Sequence, residues 1–284
     1  MKIPKRLIPL LEDGLIDTVE RQLLSGKEAT VYVVRCGEEL RCAKVYKDVA
    51  QRSFKQAVEY REGRKDRNSR RSRAMEKGSR YGRRELEDSW HNAEVNALYR
   101  LAAAEVRVPK PYGCFDGVLL MELVTDEDGD VAPRLNDITL TPELAREGHG
   151  LMMGYVVRML CAGLVHGDLS EFNVLMDGSG PVIIDLPQAV DAAGNNHAPT
   201  LFMRDVNNMT RYYGQFAPEL LATDFANEIW ALYEAGDLSP ESPLTGQFEQ
   251  ELHSADVNAV LGEIAAAYEE EQERLERING DAAE

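Results

Sequence analysis

Long hydrophobic runs are missing from this chain of 284 residues. No stretch approaches the roughly 20 consecutive apolar residues that a bilayer requires, so a membrane span is not expected. Cysteine is scarce, and Cys36, Cys42, Cys114 and Cys161 are scattered without metal-like pairing. That spacing excludes a disulfide scaffold and points to a reducing, cytoplasmic compartment. A secretory leader is not expected either: Pro4, Pro9 and the acidic Glu12-Asp13 interrupt the short apolar start. Internal repeats are absent as well. Positive charge is in short supply, with 32 Lys and Arg against 49 Asp and Glu and a net charge of −17.

The shortage is uneven. Residues 61–84 hold eleven Lys/Arg against three acidic residues, whereas residues 219–284 hold seventeen acidic residues against two arginines. Phosphate contacts depend on local rather than total charge, so 61–84 could touch RNA or a ribosomal subunit. The ordinary reading of such a run is a solvated loop.

The densest information lies in His166-Gly-Asp168-Leu-Ser-Glu-Phe-Asn173-Val-Leu and in Val182-Ile-Ile-Asp185. Between them, two short apolar runs flank the turn residues Asp177-Gly-Ser-Gly180, which reads as a β-hairpin. A hairpin brings its open ends together and so makes Asn173 and Asp185 neighbours. Such a pair of oxygen donors suits Mg²⁺ on a triphosphate, since Mg²⁺ takes one or two carboxylates and completes its shell with phosphates and water. Asp168, in the loop just before, can orient or deprotonate an attacking hydroxyl.

Upstream, residues 23–34 read as strand, loop and strand, and residues 40–46 as a further strand. Ser25, Gly26 and Lys27 occupy the loop, where a glycine lets backbone approach a phosphate. Lys44 shares a strand face with Leu40 and Cys42. An inward lysine needs an anion, and Glu94 interrupts the apolar stripe Trp90, Leu98, Leu101 of a helix expected over 85–104. A Lys44–Glu94 pair satisfies both groups and aims the ammonium at ATP phosphates. Residues 106–111 read as extended and 117–124 as an apolar strand. The strand ends at Met121-Glu122-Leu123, a position that offers backbone groups to adenine in two-lobed ATP enzymes. The second half reads as helices over 142–163, with Leu151, Tyr155, Met159 and Leu160 at core spacing, and over 200–213, 218–234 and 254–278. The last has one acidic face.

These motifs together resemble the protein-kinase superfamily. Ser25-Gly-Lys-Glu-Ala-Thr-Val-Tyr32, His166-Gly-Asp-Leu-Ser-Glu-Phe-Asn173-Val-Leu and Ile184-Asp185-Leu-Pro-Gln-Ala-Val190 are similar to the RIO family of atypical serine/threonine kinases, and Asp-Leu-Ser-Glu points to its type 1 subgroup. The resemblance covers about residues 23–213. It implies an α+β, two-lobed protein-kinase-like fold: an N-lobe antiparallel sheet plus one helix, and a reduced, mainly helical C-lobe. The expected boundaries are an extension over 1–22, the N-lobe over 23–124 with a basic insertion at 47–84, the C-lobe over 125–252 and an acidic helix and tail over 253–284.

By the same resemblance Asp168 is the catalytic base, Asn173 and Asp185 hold Mg²⁺ or Mn²⁺, and Lys44 contacts ATP phosphates. Ser25, Gly26 and Lys27 form the phosphate loop, and Met121 and Leu123 the hinge. Asp185 could also accept phosphate as an aspartyl intermediate, making an ATPase switch. Asp205 would brace the catalytic loop, and Cys42 would roof the adenine, where ATP should shield it from thiol reagents. Gly167 replaces the arginine with which ordinary kinases read a phosphorylated activation loop, and Leu186-Pro187 replaces Phe-Gly after the metal Asp. Activation-loop phosphorylation is therefore not expected to be the switch. Ala217-Pro218-Glu219 matches a kinase tripeptide, but Pro218 and Glu219 also suit a helix start. The alternatives are a small-molecule phosphotransferase of the aminoglycoside-kinase type, with the same His-Gly-Asp-Leu, and an ATP-gated ribosome- or RNA-binding factor.

Overall fold

The computed structural model of the chain describes residues 3–26, 29–47 and 93–248. Lys27, the basic segment 61–84 and the acidic helix expected over 254–278 lie outside them. Residues 1–247 form one compact unit and 248–284 a second, of which only Phe248 is described. Among the described residues no helix is long and apolar enough to cross a membrane.

The first half builds a five-stranded antiparallel sheet in the order β1-β2-β3-β5-β4, from β1 (Thr18–Ser25), β2 (Ala29–Cys36), β3 (Glu39–Tyr46), β4 (Pro111–Phe115) and β5 (Val118–Glu122). Its strands alternate, and the two faces have different jobs. Val34, Ala43, Val45, Val118 and Leu120 pack under Leu7, Leu10 and Ile16, so the short helix α1 (Ile8–Glu12) and its flanks cover the outer face. The other face carries Lys44 and Tyr46 towards the helix over 93–103 (α2). There Glu94, Ala97, Leu98 and Leu101 are buried with a helical repeat. β1 starts at Thr18, within the stretch 1–22 read from sequence as an extension.

β4 was not expected as a strand. Residues 106–111 read as extended only, because two prolines punctuate them. Pro111 is the first residue of an edge strand, where a missing N–H is tolerated. Asp116-Gly117 joins β4 to β5 with φ of 47° and 76°, both positive, which is the two-residue hairpin turn that Asp-Gly favours.

The second half is mainly helical. Helix α3 (Pro142–Cys161) starts at Thr141, whose side chain accepts the Leu144 N–H, with Pro142 at the first position. Its buried stripe runs through Ala145, Met152, Met153, Val156, Val157 and Leu160, while Leu151 is 37% exposed and Tyr155 only half-buried. The core face is thus rotated by a residue from the one expected. Short β6 (Leu164–Val165) pairs with β9 (Val190–Asp191). Strands β7 (Val174–Asp177) and β8 (Gly180–Ile183) form the expected hairpin, with Asp177 opposite Gly180. Helix α4 (Ala198–Tyr213) follows. The single helix expected over 218–234 is instead a 3-10 turn, Pro218–Ala222, and helix α5 (Phe225–Ala235). They separate at Asp224, whose side chain accepts the Asn227 N–H and starts a new helix. Glu219 reaches back to Arg146 on α3.

One apolar cluster joins both halves. It runs from Ala29, Tyr46, Leu98, Leu101 and Leu119 through α3 and α4 to Trp230.

Candidate active site

Lys44 is the hub. Its Nζ donates to Glu94 Oε1 at 2.6 Å and to Asp185 Oδ1 at 2.9 Å. Glu94, 4% exposed, uses its other oxygen to accept the Tyr46 hydroxyl at 2.6 Å. Burial works to lower the Lys44 pKa, but the two carboxylates overcome it and raise the pKa above its ordinary value. At Asp185, burial pushes the carboxyl up, and the Lys44 ammonium more than reverses this, holding it below its usual value. The Asp185 side chain is 49% exposed, so half of it faces solvent. Its φ of 65° is unusual for a non-glycine residue and breaks the extended backbone that β8 sets up to Ile183.

The loop between β6 and β7 is held from behind by α4. Asp205, 3% exposed, accepts the Gly167 N–H at 2.7 Å with Oδ2 and the Leu169 N–H at 3.0 Å with Oδ1. Burial pushes its carboxyl up, to about 6, against the pull of His166 and these two amides. Arg204 donates to the Gly167 carbonyl and Asn208 to that of Leu169. Gly167 has φ 78°, and a Cβ there would lie 2.8 Å from the Gln188 carbonyl oxygen, so the chain has no room for a side chain at this position. His166 joins the loop to the strand before Asp185. Its Nδ1 accepts the Asp168 N–H at 3.2 Å, which leaves Nε2 to carry the proton donated to the Ile184 carbonyl at 3.1 Å. With its flanks pinned, Asp168 stands exposed at the surface.

Asn173 donates from Nδ2 to the Asp168 carbonyl at 2.8 Å, and its Nδ2 lies 3.5 Å from Asp168 Oδ2. That orientation leaves Oδ1 as the oxygen available to a cation. The ladder pairs Val174 with Ile183, and Ile184 N–H donates to the Asn173 carbonyl at 3.0 Å, so Asp185 is one step beyond Asn173's partner. Among the described residues no group of three or more His, Cys, Asp or Glu could hold a metal. This donor set suits Mg²⁺, which needs only one or two protein oxygens when phosphates complete its shell.

Ser25 and Gly26 close the β1–β2 turn. Gly26 N–H donates to the Ala29 carbonyl at 2.9 Å, and Ser25 Oγ lies 3.3 Å from Thr30 Oγ1. Lys47 donates to Gly26 O at 2.5 Å and to Ser25 Oγ at 3.2 Å, a second tether that the motif does not signal. Met121 pairs with Cys42 across β3 and β5, which puts both on the face that carries Lys44, and Leu123 follows the end of β5. Cys42 is buried, and burial pushes its thiol up to about 12. A buried thiol with a raised pKa should react slowly at neutral pH even before a nucleotide is added, so any further protection by ATP should be small.

Tyr46 was missed, although its spacing of two from Lys44 on a strand signals a shared face. Asp205 was legible from sequence. Its role as a brace was implied by the family resemblance alone, and both its oxygens accept backbone amides of the loop.

A five-stranded antiparallel lobe with one inward Lys–Glu pair, stacked on helices that present a loop and a hairpin, is the protein-kinase-like fold. A solved structure shares it: the Rio2 kinase–ADP/Mg²⁺–phosphoaspartate complex from Chaetomium thermophilum, with TM-score 0.52 and 20% identity, covering 84% of this chain and 76% of that one. The RIO domain family model matches residues 30–226, and the chain belongs to the RIO family. The RIO-type serine/threonine-protein kinase Rio1 of Haloferax volcanii is 35% identical over 72% of this chain and 66% of its own. The human serine/threonine-protein kinase RIO1 is 32% identical over 73% of this chain and 35% of its own. The match thus spans roughly one to two thirds of these relatives' lengths.

Proposed function

We propose that the protein transfers the γ-phosphoryl group of ATP, with Mg²⁺, to serine or threonine hydroxyls of proteins, itself included. The observation that supports this best is the connected set Glu94–Lys44–Asp185 facing a loop whose Asp168 and Asn173 are fixed from behind. In this reading Lys44, steered by Glu94, contacts the phosphates. Asn173 Oδ1 and the Asp185 carboxylate hold Mg²⁺, which supplies charge neutralisation for the transferring group. Asp168 orients the acceptor hydroxyl and takes its proton. Ser25, Gly26 and Lys27 cover the phosphates, and the backbone at Met121 and Leu123 meets the adenine. Names borne by the relatives in the RIO family favour a protein hydroxyl over a small-molecule acceptor.

A second reading concerns Asp185. The Chaetomium thermophilum Rio2 structure is a complex with ADP, Mg²⁺ and phosphoaspartate, and half of the Asp185 side chain in this chain faces solvent. Its free oxygen, Oδ2, could attack the γ-phosphorus. The bond from γ-phosphorus to the β–γ bridging oxygen would break, ADP would leave, and water would later hydrolyse the acyl phosphate to aspartate and phosphate. That would make an ATPase switch. The excess of arginine in 61–84 supports a ribosomal or RNA contact in such a cycle; neutralising those arginines should abolish co-sedimentation with ribosomes.

Incubation with labelled Mg·ATP, alone, with protein substrates and with aminoglycosides, separates these readings. Acid-stable label on protein, lost in Asp168→Ala, is expected for serine phosphorylation. Label released by neutral hydroxylamine, which leaves phosphoserine intact, marks the aspartyl phosphate and should be lost in Asp185→Ala. Label transferred only to an aminoglycoside, or nucleotide bound with no transfer at all, rejects the protein-kinase reading.

A further inference from the structure

Arg107 belongs to none of the groups above, yet it is among the most fully bonded side chains near the cleft. It lies between α2 and β4. Its guanidinium uses all five N–H donors. Nε and Nη2 donate to Asp177 Oδ2 at 3.0 and 2.8 Å, and Nη1 and Nη2 donate to Glu122 Oε2 and Oε1 at 2.8 Å each. The remaining Nη1 proton goes to the Val108 carbonyl at 3.0 Å.

The two carboxylates sit at informative places. Glu122 is the last residue of β5, between Met121 and Leu123, and its Oε2 also accepts the Lys110 N–H at 3.0 Å. Asp177 ends β7, and its other oxygen accepts the Ser179 N–H at 2.7 Å, closing the hairpin turn. The backbone carbonyl of Arg107 itself accepts the Ile183 N–H at 2.9 Å, two residues before Asp185. One residue therefore ties the strand that ends at the hinge, the hairpin that carries Asn173 and Asp185, and the loop leaving the helix of Glu94.

The chemistry is stricter than that of an ordinary ion pair. Hydrogen bonds to Glu122 and Asp177 hold the guanidinium proton more firmly than usual. Burial raises the Glu122 pKa, but Arg107 and the Lys110 amide bring it below the usual carboxylate range. Exposed pairs contribute little, but a planar fork between two part-buried carboxylates fixes distance and angle, and lysine cannot reproduce it.

We infer that Arg107 is a positioning residue that sets the register between the hinge and the Asn173–Asp185 pair, and so between the base and the metal–phosphate end of a bound nucleotide. The inference rests on the nucleotide reading above. Adenine contacts lie on the hinge side of Arg107 and metal contacts on the hairpin side. Loosening the fork should thus spare base binding and spoil its coupling to Mg²⁺.

The test compares ADP affinity in Mg²⁺ and in EDTA for wild type, Arg107→Lys, Arg107→Ala and Asp177→Asn, with melting midpoints alongside. Wild type should gain affinity on adding Mg²⁺. Both Arg107 variants should keep their EDTA affinity within about twofold and lose about tenfold of the Mg²⁺ gain, with Asp177→Asn intermediate. Variants that melt lower yet keep the wild-type Mg²⁺ ratio make Arg107 merely structural and overturn the inference. Should Arg107→Ala not fold, Arg107→Lys and Asp177→Asn decide it alone. A wild type that shows no Mg²⁺-dependent gain instead removes the nucleotide reading, and the inference with it.

Discussion

Replacing Gly167 by alanine should damage the protein far more than a single methyl suggests. The residue has φ 78°, and an L side chain in the left-handed region costs about 1–2 kcal/mol. The new Cβ would also stand 2.8 Å from the Gln188 carbonyl oxygen, which is backbone and cannot swing away as a side chain would. Either the segment after Asp185 moves or the loop does. Loop movement strains the Asp205 bonds to the Gly167 and Leu169 amides, and a charge-assisted bond of this kind contributes about 1.5–3 kcal/mol. The sum is a loss of about 2.5–5 kcal/mol, or roughly 5–20 °C in melting midpoint for a unit of this size. Gly150 is the internal control. It sits exposed in α3, and a Cβ there meets nothing within 4 Å. Gly150→Ala should therefore stabilise by about 0.8–1 kcal/mol through helix propensity alone. Urea melts of both variants with and without Mg·ADP, together with phosphoryl transfer, give the comparison. A Gly167→Ala protein as stable and active as wild type would refute the argument that close approach of the two segments excludes a side chain.

His149 is buried between α3 and α4, 3.0 Å from Thr210 Oγ1, and burial lowers its pKa to about 4. A histidine with a depressed folded pKa stabilises fully above its unfolded pKa near 6.5 and loses that stability as pH falls towards 4, here about 3 kcal/mol. Urea midpoints at pH 7.5 and 5 should differ in wild type and much less in His149→Leu; equal differences would contradict this. Thiol reagents at neutral pH should label Cys114 and Cys161, which are exposed, and leave Cys42 untouched whether or not Mg·ATP is present. Rapid Cys42 modification, followed by peptide mass, would contradict its burial. Phosphatase pretreatment should leave activity unchanged, because Gly167 offers no side chain to read a phosphate on the segment after Asp185. Strict dependence on a phosphorylated residue between Asp185 and Thr210 would sink that idea.

The site was easier to read from sequence than the fold around it. Local motifs name their own chemistry: His166 to Asn173, the hairpin to Asp185 and the strand carrying Lys44 each lie within a few residues. The Lys44–Glu94 pair spans fifty residues, yet a charge interrupting an apolar stripe demands a partner, so it too was legible. The misses were positions where tertiary context decides. Pro111 read as the end of an extended segment, although an edge strand accepts it at its first residue and runs on to Phe115. Asp224 read as helix interior, although its carboxylate caps a new helix. Leu151 lay on the core face by periodicity, but Met152 and Met153 took that place. Arg107 carried no signal, because its two carboxylates come from strands 15 and 70 residues away.

The apolar cluster shared by the two lobes bears on how this molecule comes apart. Tyr46, Leu98, Leu101 and Leu119 from one side pack with Met152, Val156 and Phe202 from the other. The cleft is therefore a groove cut into a single cooperative unit. Excising the sheet lobe would leave those side chains in water and without their partners, so it should not fold alone. Lys44 and Glu94 on one side and Asp168, Asn173 and Asp185 on the other are gained and lost in the same folding transition.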